Sequence, residues 1–347
     1  MDQVVPGYRP SRSALRCASP ELRKDRNFVL SRVKIDGTEL RYADPEFQHD
    51  REIVLAAVQK HGPALVYASK ERQNDKPLVL EAVEQNSWAL EFASPALQKD
   101  RDIVRAAVVQ NGLAIQFANP RFLNDPEIVL AAVVQNGQAL FYASAALQKD
   151  KDLVLAAMQQ NGSALYYASE ESKKDRDVVL MAVKQDGHVS KHGSQELQND
   201  PELVLAAVQQ NGRALQFASE GLKNNKEIVS AAVQNYGRAL EYASEELKSD
   251  REMVLPAAQQ CGYTLEYASS ELKNDKKIVY AAMVRDCEAL QFGSLEPRND
   301  KEIVYAGVVE DGNMLQYASE ALQKDRDLVS MAVQNYDPEL YYASPEL

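Results

Sequence analysis

Two histidines four residues apart, His188 and His192, are the clearest candidates for chemistry in this sequence. On an α-helix this spacing places both imidazoles on one face, as in two-histidine metal sites, and Asp186 is near enough to add a carboxylate. Gly187, however, interrupts a helix just before the pair, and no glutamate stands between the histidines as in the metalloprotease motif. We predict no metal and no other cofactor, and keep His188 and His192 as the alternative metal site.

Repeated carboxylates offer a second kind of chemistry, general acid–base catalysis. Asp100 with Asp102 and Asp150 with Asp152 are such pairs, but similar acids recur along the whole chain, and a catalytic pair is needed only once. The sequence contains no GxSxG elbow, no phosphate-binding glycine loop and no CxxC pair. We therefore predict a protein that is not an enzyme and has no catalytic residues.

Composition limits the partners and the compartment. The net charge of −12 disfavours nucleic acid, whose binding depends on neutralising phosphates. No apolar run approaches the roughly 18 residues that span a bilayer, and the N-terminus lacks a signal-peptide core, so we expect no membrane insertion. The scattered Cys17, Cys261 and Cys287 indicate reduced thiols rather than disulfides. These features predict an acidic intracellular protein, most simply a cytoplasmic one.

An internal repeat determines the secondary-structure elements on which the residues discussed above lie. An Asp or Asn recurs every 25 residues from Asp25 to Asp325, and a valine follows four residues after each of them. A clean copy reads DPELVLAAVQQNGRALQFASEGLKN, from Asp200 to Asn224. Tandem copies of this kind, none of which can bury its apolar face alone, are typical of solenoids.

Each copy predicts three helical pieces. The aspartate is an N-cap, and the apolar residues after it have helical spacing. Gly212 is expected to end the first helix as a left-handed C-cap, and Ser219 to cap a later piece. We predict an all-α solenoid of about 13 units of 25 residues, each a longer helix plus two short helical pieces. The array covers residues 14–347, after a non-repeat segment, residues 1–13.

The segments DREIVLAAVQ and GPALVYASKE, with their twelve relatives, closely resemble a tandem-repeat family known only as a domain of unknown function. The resemblance covers nearly the whole chain, from about Ala14 to Leu347. It implies a helical repeat array in intracellular proteins, and it supplies no activity and no functional residues.

An aromatic column runs through the repeats from Tyr42 to Tyr342, and we predict that it packs in the core. A base-stacking code of one base per repeat is the alternative, which the acidic charge disfavours. In DGHVSKHGS the column breaks, because Ser190 replaces a leucine and His192 an aromatic residue. We interpret residues 187–194 as a degenerate unit that forms a soft joint between two better-packed arrays.

The two positions that flank Ala-Leu in the second piece are polar in most repeats but apolar in five consecutive ones. These residues, which we call the apolar stripe, are Val66, Trp88, Leu113, Phe141 and Tyr166, with Pro63 beside Val66. We predict that they bind a protein partner that the sequence does not identify. The alternative interpretation is scattered exposed side chains.

The predicted function is a non-catalytic protein–protein interaction scaffold. The second hypothesis is a structural subunit built permanently into a larger assembly, or one that associates end to end, since neither end of the array resembles a polar capping repeat.

Overall fold

The computed structural model describes residues 13–335 of the 347 in the chain. Residues 1–12, most of the predicted non-repeat segment, and Tyr342 of the aromatic column lie outside that range. The described residues contain helices and no strands, which confirms the predicted all-α repeat architecture. The chain divides into two compact units, Met1–Ser172 and Lys173–Leu347, which we call the first and second units.

Each repeat begins with a longer α-helix, as predicted. In the first unit these helices are Arg26–Val33, Arg51–Lys60, Lys76–Gln85, Arg101–Gln110, Pro126–Gln135 and Lys151–Gln160. In the second unit they are Arg176–Gln185, Pro201–Gln210, Lys226–Asn235, Arg251–Gln260, Lys276–Arg285, Lys301–Glu310 and Arg326–Asn335.

The second piece of each repeat is a six-residue 3-10 helix that carries the Ala-Leu pair or the residues that replace it. In the first unit these are Gly37–Tyr42, Gly62–Tyr67, Ser87–Phe92, Gly112–Phe117, Gly137–Tyr142 and Gly162–Tyr167. In the second unit they are Gly187–His192, Gly212–Phe217, Gly237–Tyr242, Gly262–Tyr267, Cys287–Phe292 and Gly312–Tyr317.

The third piece is a single turn, α-helical in some repeats and 3-10 in others. After the opening turn Ala14–Cys17, these pieces are Pro20–Arg23, Pro45–Gln48, Arg72–Asn74, Leu97–Lys99, Pro120–Asn124, Leu147–Lys149, Ser172–Lys174, Leu197–Asn199, Glu220–Lys223, Glu245–Lys248, Leu272–Asn274, Leu295–Arg298 and Glu320–Gln323.

One face of each long helix is buried in full. In Arg51–Lys60 the fully buried side chains are Ile53, Val54, Ala57 and Val58, whose spacing defines a single helical stripe. The predicted aspartate caps are present: Asp50 Oδ1 accepts hydrogen bonds from the amides of Glu52 and Ile53, at 2.9 and 3.2 Å. Ser219 differs from its prediction, because its hydroxyl makes no cap bond and donates instead to Asn199 Oδ1 at 2.7 Å.

Gly212 corrects another prediction, because its backbone does not adopt the left-handed conformation. The long helix before it ends at Gln210, and the following Asn211 has an extended φ of −150°. Close approach to the next repeat favours glycine at most positions of this column, although Ser87 and Cys287 also occupy it. A Cβ on Gly137 would lie 2.5 Å from the carbonyl oxygen of Ala157. The glycines therefore let the 3-10 helix of one repeat pack directly on the long helix of the following one.

The last residue of the long helix connects consecutive repeats. Gln110 Oε1 accepts a hydrogen bond from Ser87 N, and its Nε2 donates to the carbonyl of Glu84, both at 2.6 Å. Asn235 makes the same two bonds, with Gly212 N at 2.7 Å and the carbonyl of Gln209 at 3.0 Å. One amide side chain thus satisfies a donor and an acceptor left free where the preceding helix ends.

Candidate functional site

The 3-10 geometry decides which side chains face outward. With three residues per turn, a 3-10 helix aligns residues three apart into rows. In Gly62–Tyr67 the row of Gly62 and Leu65 is buried, whereas in the adjacent row Pro63 is buried and Val66 is half-buried. The tyrosine at position 67 occupies the third row, at the edge of the core, and is half-buried.

Three members of the predicted apolar stripe are exposed aromatic residues. Trp88 is 41%, Phe141 56% and Tyr166 61% exposed, so these rings are accessible to a partner. Val66 and Leu113 are half-buried.

Pro63 is buried, and its assignment to the stripe is wrong. Its ring closes back on its own backbone nitrogen and so does not project outward as an aromatic side chain does.

The prediction that the aromatic column packs in the core is also wrong. Its members are half-buried, and the core positions beside them belong to alanine and leucine, such as Ala64 and Leu65. Tyr67 shares its 3-10 row with Ala64, which is fully buried, and the longer tyrosine side chain reaches the border between core and solvent. We call the first-unit members of this column the aromatic ladder: Tyr42, Tyr67, Phe92, Phe117, Tyr142 and Tyr167.

Stripe and ladder form one surface, because each exposed ring packs edge-on against a ladder ring. Trp88 lies 5.2 Å from Phe117 of the next repeat, measured between ring centroids. Phe141 contacts both Tyr142 at 5.0 Å and Tyr167 at 5.2 Å. Such edge-to-face pairs add roughly 0.5–1.5 kcal/mol each beyond area burial. The exposed rings are therefore held in place before any partner arrives.

Polar side chains at the same positions contact the ladder in other repeats. The guanidinium of Arg41 lies 4.9 Å from the ring centroid of Tyr42 and 5.7 Å from that of Tyr67. Burial raises the pKa of Tyr67, while the charge of Arg41 acts in the opposite direction. The hydroxyl of Tyr142 donates to Gln116 Oε1 at 3.3 Å.

An open groove of 840 Å³ lies beside the ladder, between the second and third 3-10 helices. Val66, Phe92 and Pro95 supply apolar lining. The charged lining residues are Glu71, Glu91 and Lys70. The buried amide of Gln73 lines the groove as well, but it already donates to the carbonyl oxygens of Leu65 and Ala68, at 3.1 and 3.2 Å.

In the second unit the equivalent positions are mainly polar, and they make polar contacts with tyrosine side chains. The Arg213 guanidinium lies 4.8 Å from the ring centroid of Tyr236, which follows the long helix Lys226–Asn235 and lies outside the aromatic column. Arg238 Nη2 donates to the hydroxyl of Tyr267, a member of the column, at 2.7 Å. The half-buried Tyr263 bonds to Glu288, which raises the pKa of Tyr263 to about 12. The exposed apolar surface of these positions thus belongs to the first unit.

His188 and His192 lie on a 3-10 helix, where residues four apart do not share a face as they would on an α-helix. His188 packs edge-on against Phe217 at 5.2 Å, and the Asp186 carboxylate caps the helix by accepting from His188 N at 3.0 Å. Burial lowers the pKa of His192, and the charge of Lys191 lowers it further, a charge that also opposes a bound cation. Within residues 13–335, no group of three or more His, Cys, Asp or Glu residues could hold a metal ion.

A second apolar surface, on the outer side of the long helices, was missed in the sequence. In the first unit it comprises Val109, Leu130 and Val134, and in the second Tyr280, Val284, Tyr305 and Val309. The second-unit residues, between 43% and 71% exposed, line a groove of 420 Å³. The signal was available, because valine here replaces a residue that is glutamine in many other repeats.

The thiols of Cys17, Cys261 and Cys287 are free, as expected. None of the helices in the described part of the chain is long and apolar enough to cross a membrane.

The repeats match the model of a family described as "Domain of unknown function (DUF4116)". The matches cover nearly the whole chain, in ten overlapping or consecutive segments: 11–48, 50–98, 100–148, 128–173, 150–198, 175–223, 200–248, 225–273, 250–298 and 300–347. The chain belongs to this family. No curated protein and no solved structure matches the sequence significantly. Family membership accounts for the repeat and leaves the function to be argued from the surface.

Proposed function

We propose that the protein is a non-catalytic scaffold that binds another protein through the apolar stripe and aromatic ladder of the first unit. The observation that carries this proposal is that the rings of Trp88, Phe141 and Tyr166 are exposed and are also held by contacts with neighbouring rings. The free cysteines support an intracellular, cytoplasmic site of action.

Packed aromatic rings are efficient anchors for a partner. Trp and Tyr are enriched in interface hot spots because they bury a large area while losing few rotatable bonds. Here the edge-on contacts with Phe117, Tyr142 and Tyr167 already restrict the exposed rings. Binding therefore costs less side-chain entropy than it would on flexible, isolated residues.

A displayed library of random peptides, panned against the purified protein, tests the proposal. We expect the selected peptides to bind the wild type and to bind a Trp88→Ala/Phe141→Ala variant at least tenfold more weakly, about 1.4 kcal/mol. The matched control is Tyr280→Ala, which removes an exposed ring outside the stripe and should leave binding unchanged. Ligands that bind both variants equally would show that the stripe is not the binding surface.

The same double variant should remain folded. Because Trp88 and Phe141 are about half exposed, their truncation removes edge contacts without opening a core cavity. We expect the free energy of unfolding to fall by less than about 2 kcal/mol, compared with about 3–5 kcal/mol for a buried aromatic residue. Urea denaturation followed by circular dichroism measures the difference. A loss in the core range would mean that these rings stabilise the fold rather than present a surface.

The apolar groove of the second unit supports the other function, a structural subunit that assembles permanently or end to end. Val284 is 71% exposed and Tyr305 45% exposed, on neighbouring long helices. Under this hypothesis, sedimentation velocity shows an oligomer whose population rises with concentration and falls in a Val284→Glu variant. A strict monomer at high concentration would exclude the self-associating form of this hypothesis.

A further inference from the structure

Three cations of the second unit occupy the two positions that carry the apolar stripe in the first. Lys191, Arg213 and Arg238 come from three consecutive repeats, and we call them the basic row. Lys191 and Arg213 are exposed, and Arg238 is half-buried. Consecutive helices pack roughly 8–10 Å apart, so these charges are distributed along the array rather than gathered at one point.

No carboxylate of the described structure neutralises the basic row. Cations at the start of the long helices are paired: Arg251 lies 3.0 Å from Asp275, and Lys276 lies 2.6 Å from Asp300. The three residues of the basic row, by contrast, form no ion pair with any residue of 13–335. Their charge is therefore available to a partner.

Two tyrosines hold the arginines without neutralising them. Arg213 Nη2 donates to the hydroxyl of Tyr236 at 3.0 Å, and Arg238 Nη2 donates to that of Tyr267 at 2.7 Å. The other N–H groups of both guanidiniums bond to no residue of 13–335. Each guanidinium thus keeps its charge and has donors left for a carboxylate, which it can bind through two parallel hydrogen bonds.

Tyr236 stands where most repeats have a helix cap. The usual residue is Asn or Asp, as at Asn211, whose Oδ1 accepts a hydrogen bond from Arg213 N at 3.1 Å. The side chain of Tyr236 caps no amide and contacts the Arg213 guanidinium of the preceding repeat instead. This repeat thus lacks a stabilising local bond and has a contact that positions a cation.

The charged neighbours of the basic row differ at its two ends. Burial lowers the pKa of His192, and the charges of Lys191, Lys173 and His188 lower it further, so this end is strongly positive. Beyond Arg213, the same outward positions become acidic at Glu241, Glu266 and Glu288. A ligand must therefore confine its negative charge to a short stretch.

This distribution favours an acidic peptide over other anionic ligands. A nucleic acid needs cations that continue along its backbone, and the carboxylates after the basic row would repel it. A second copy is disfavoured because each chain carries a net charge of −12. A single phosphate would be bound by cations that converge, whereas carboxylates spaced along a peptide match cations from separate repeats.

We propose that the basic row binds a short acidic segment of a partner protein, whose glutamate or aspartate side chains pair with Lys191, Arg213 and Arg238. This site lies in the second unit and goes beyond the apolar surface of the first. Tyr236 and Tyr267 are positioning residues, because they hold the guanidiniums before the ligand arrives.

A labelled peptide of about six glutamates, long enough to cross three repeats, tests the proposal with the full-length protein. Fluorescence anisotropy should show saturable binding at low ionic strength, which weakens as salt is added. A glutamine peptide of equal length should bind at least tenfold more weakly. Equal binding of the two peptides, or no binding of the glutamate peptide, would overturn the proposal.

Two double variants locate the site. Arg213→Gln/Arg238→Gln should weaken binding of the glutamate peptide at least tenfold. The matched control, Arg251→Gln/Lys276→Gln, removes two cations of the same unit that are already paired and changes the net charge equally. We expect the control to change binding by less than about twofold. An equal loss in both variants would attribute binding to net charge and refute the site.

Tyr236→Asn separates positioning from stability. Asparagine restores the cap that most repeats have here, so the melting temperature should not fall. Binding of the glutamate peptide should weaken about threefold, because Arg213 loses both the ring and the hydroxyl that hold it. Unchanged binding would refute the positioning role of Tyr236.

Competition and sedimentation distinguish the other occupants. Inorganic phosphate and a short oligothymidylate, at the same concentration of negative charge, should not displace the glutamate peptide. Displacement by either, or a dimer that is lost in Arg213→Gln/Arg238→Gln, would assign the basic row to another ligand and overturn the proposal. Trp88→Ala/Phe141→Ala should bind the glutamate peptide as the wild type does, so this site and the apolar surface of the first unit fail or succeed separately.

Discussion

At the scale of single residues, Ser190 accounts for the anomaly in DGHVSKHGS. Its side chain is 4% exposed, in a column where Leu165 and Leu215 are fully buried. Its Oγ has no hydrogen-bond partner in the described structure. A leucine has thus been replaced by a smaller side chain with an unsatisfied polar atom, and both changes lower stability.

Ser190→Leu should therefore stabilise the protein. Refilling the core and removing the unsatisfied hydroxyl should raise the free energy of unfolding by about 2–4 kcal/mol. Urea denaturation measures the change. Ser230→Leu is the matched control, because Ser230 is only half-buried, in a column where many repeats carry leucine, and should gain less than about 1 kcal/mol. A destabilised Ser190→Leu variant would mean that the neighbouring side chains have already closed over the site.

At the scale of elements, the packing of one helix on the next depends on glycine, which has no Cβ. Because a Cβ on Gly137 would approach the Ala157 carbonyl oxygen to 2.5 Å, Gly137→Ala should cost about 1–3 kcal/mol or more. Gly221, in the exposed turn Glu220–Lys223, meets nothing within 4 Å of a built Cβ. Gly221→Ala should instead be neutral or stabilise by about 0.5–1 kcal/mol. Equal thermal shifts for the two variants would contradict this explanation of the glycine column.

The N-terminal ends of the long helices form a second inter-repeat contact, which is sensitive to pH. Arg176 bonds to Asp200 at 2.6 Å, and Lys226 lies 2.9 Å from Asp250. The hydrogen bonds from these basic residues hold the pKa of each aspartate below its usual 3.8. A folded-state pKa lowered in this way contributes stability above pH 3.8 that is lost as the pH falls further.

Asp200→Asn/Asp250→Asn should isolate this contribution. Asparagine caps a helix as well as aspartate does, and Asn225 already occupies the same column. At pH 7 the variant should melt on the order of 2 °C below the wild type. As the pH falls through the lowered pKa of the two aspartates, the two melting temperatures should converge. A difference that persists at low pH would attribute the loss to capping rather than to the ion pairs.

Element types and their order were predictable because they depend on local signals. The aspartate caps, the apolar spacing and the 25-residue period each follow from the sequence around them. The 3-10 geometry of the second piece was not predictable in this way, so the aromatic column was misplaced in the core. The close approach between repeats is also not visible in the local sequence, and Gly212 was therefore predicted to be a left-handed cap. For the site, the polar-to-apolar switch identified Trp88, Phe141 and Tyr166, but the ladder that holds them depends on contacts between repeats.

At the scale of the whole molecule, stability is distributed along the chain in local terms. Contacts between repeats join only consecutive ones. Examples are the side-chain hydrogen bonds of Gln110 and Asn235 and the ion pair of Arg176 with Asp200. In such arrays the total stability approximates a sum of repeat and nearest-neighbour terms, so a defect lowers stability mainly where it occurs. The repeat with Ser190 should therefore open locally before its neighbours do.

Native-state hydrogen exchange should reveal that opening. The backbone of 187–194 keeps the regular bonds, including Gly193 N to the carbonyl of Ser190 at 3.1 Å, so low protection there cannot come from missing hydrogen bonds. It would come from the weakened core beneath them, and we expect these amides to exchange at least tenfold faster than the equivalent amides of 212–219. Ser190→Leu should reduce the difference, because it restores the leucine on which the neighbouring repeats rely. Equal protection of the two segments in the wild type would show that the repeat tolerates Ser190 without local opening, and the soft joint would have no physical basis.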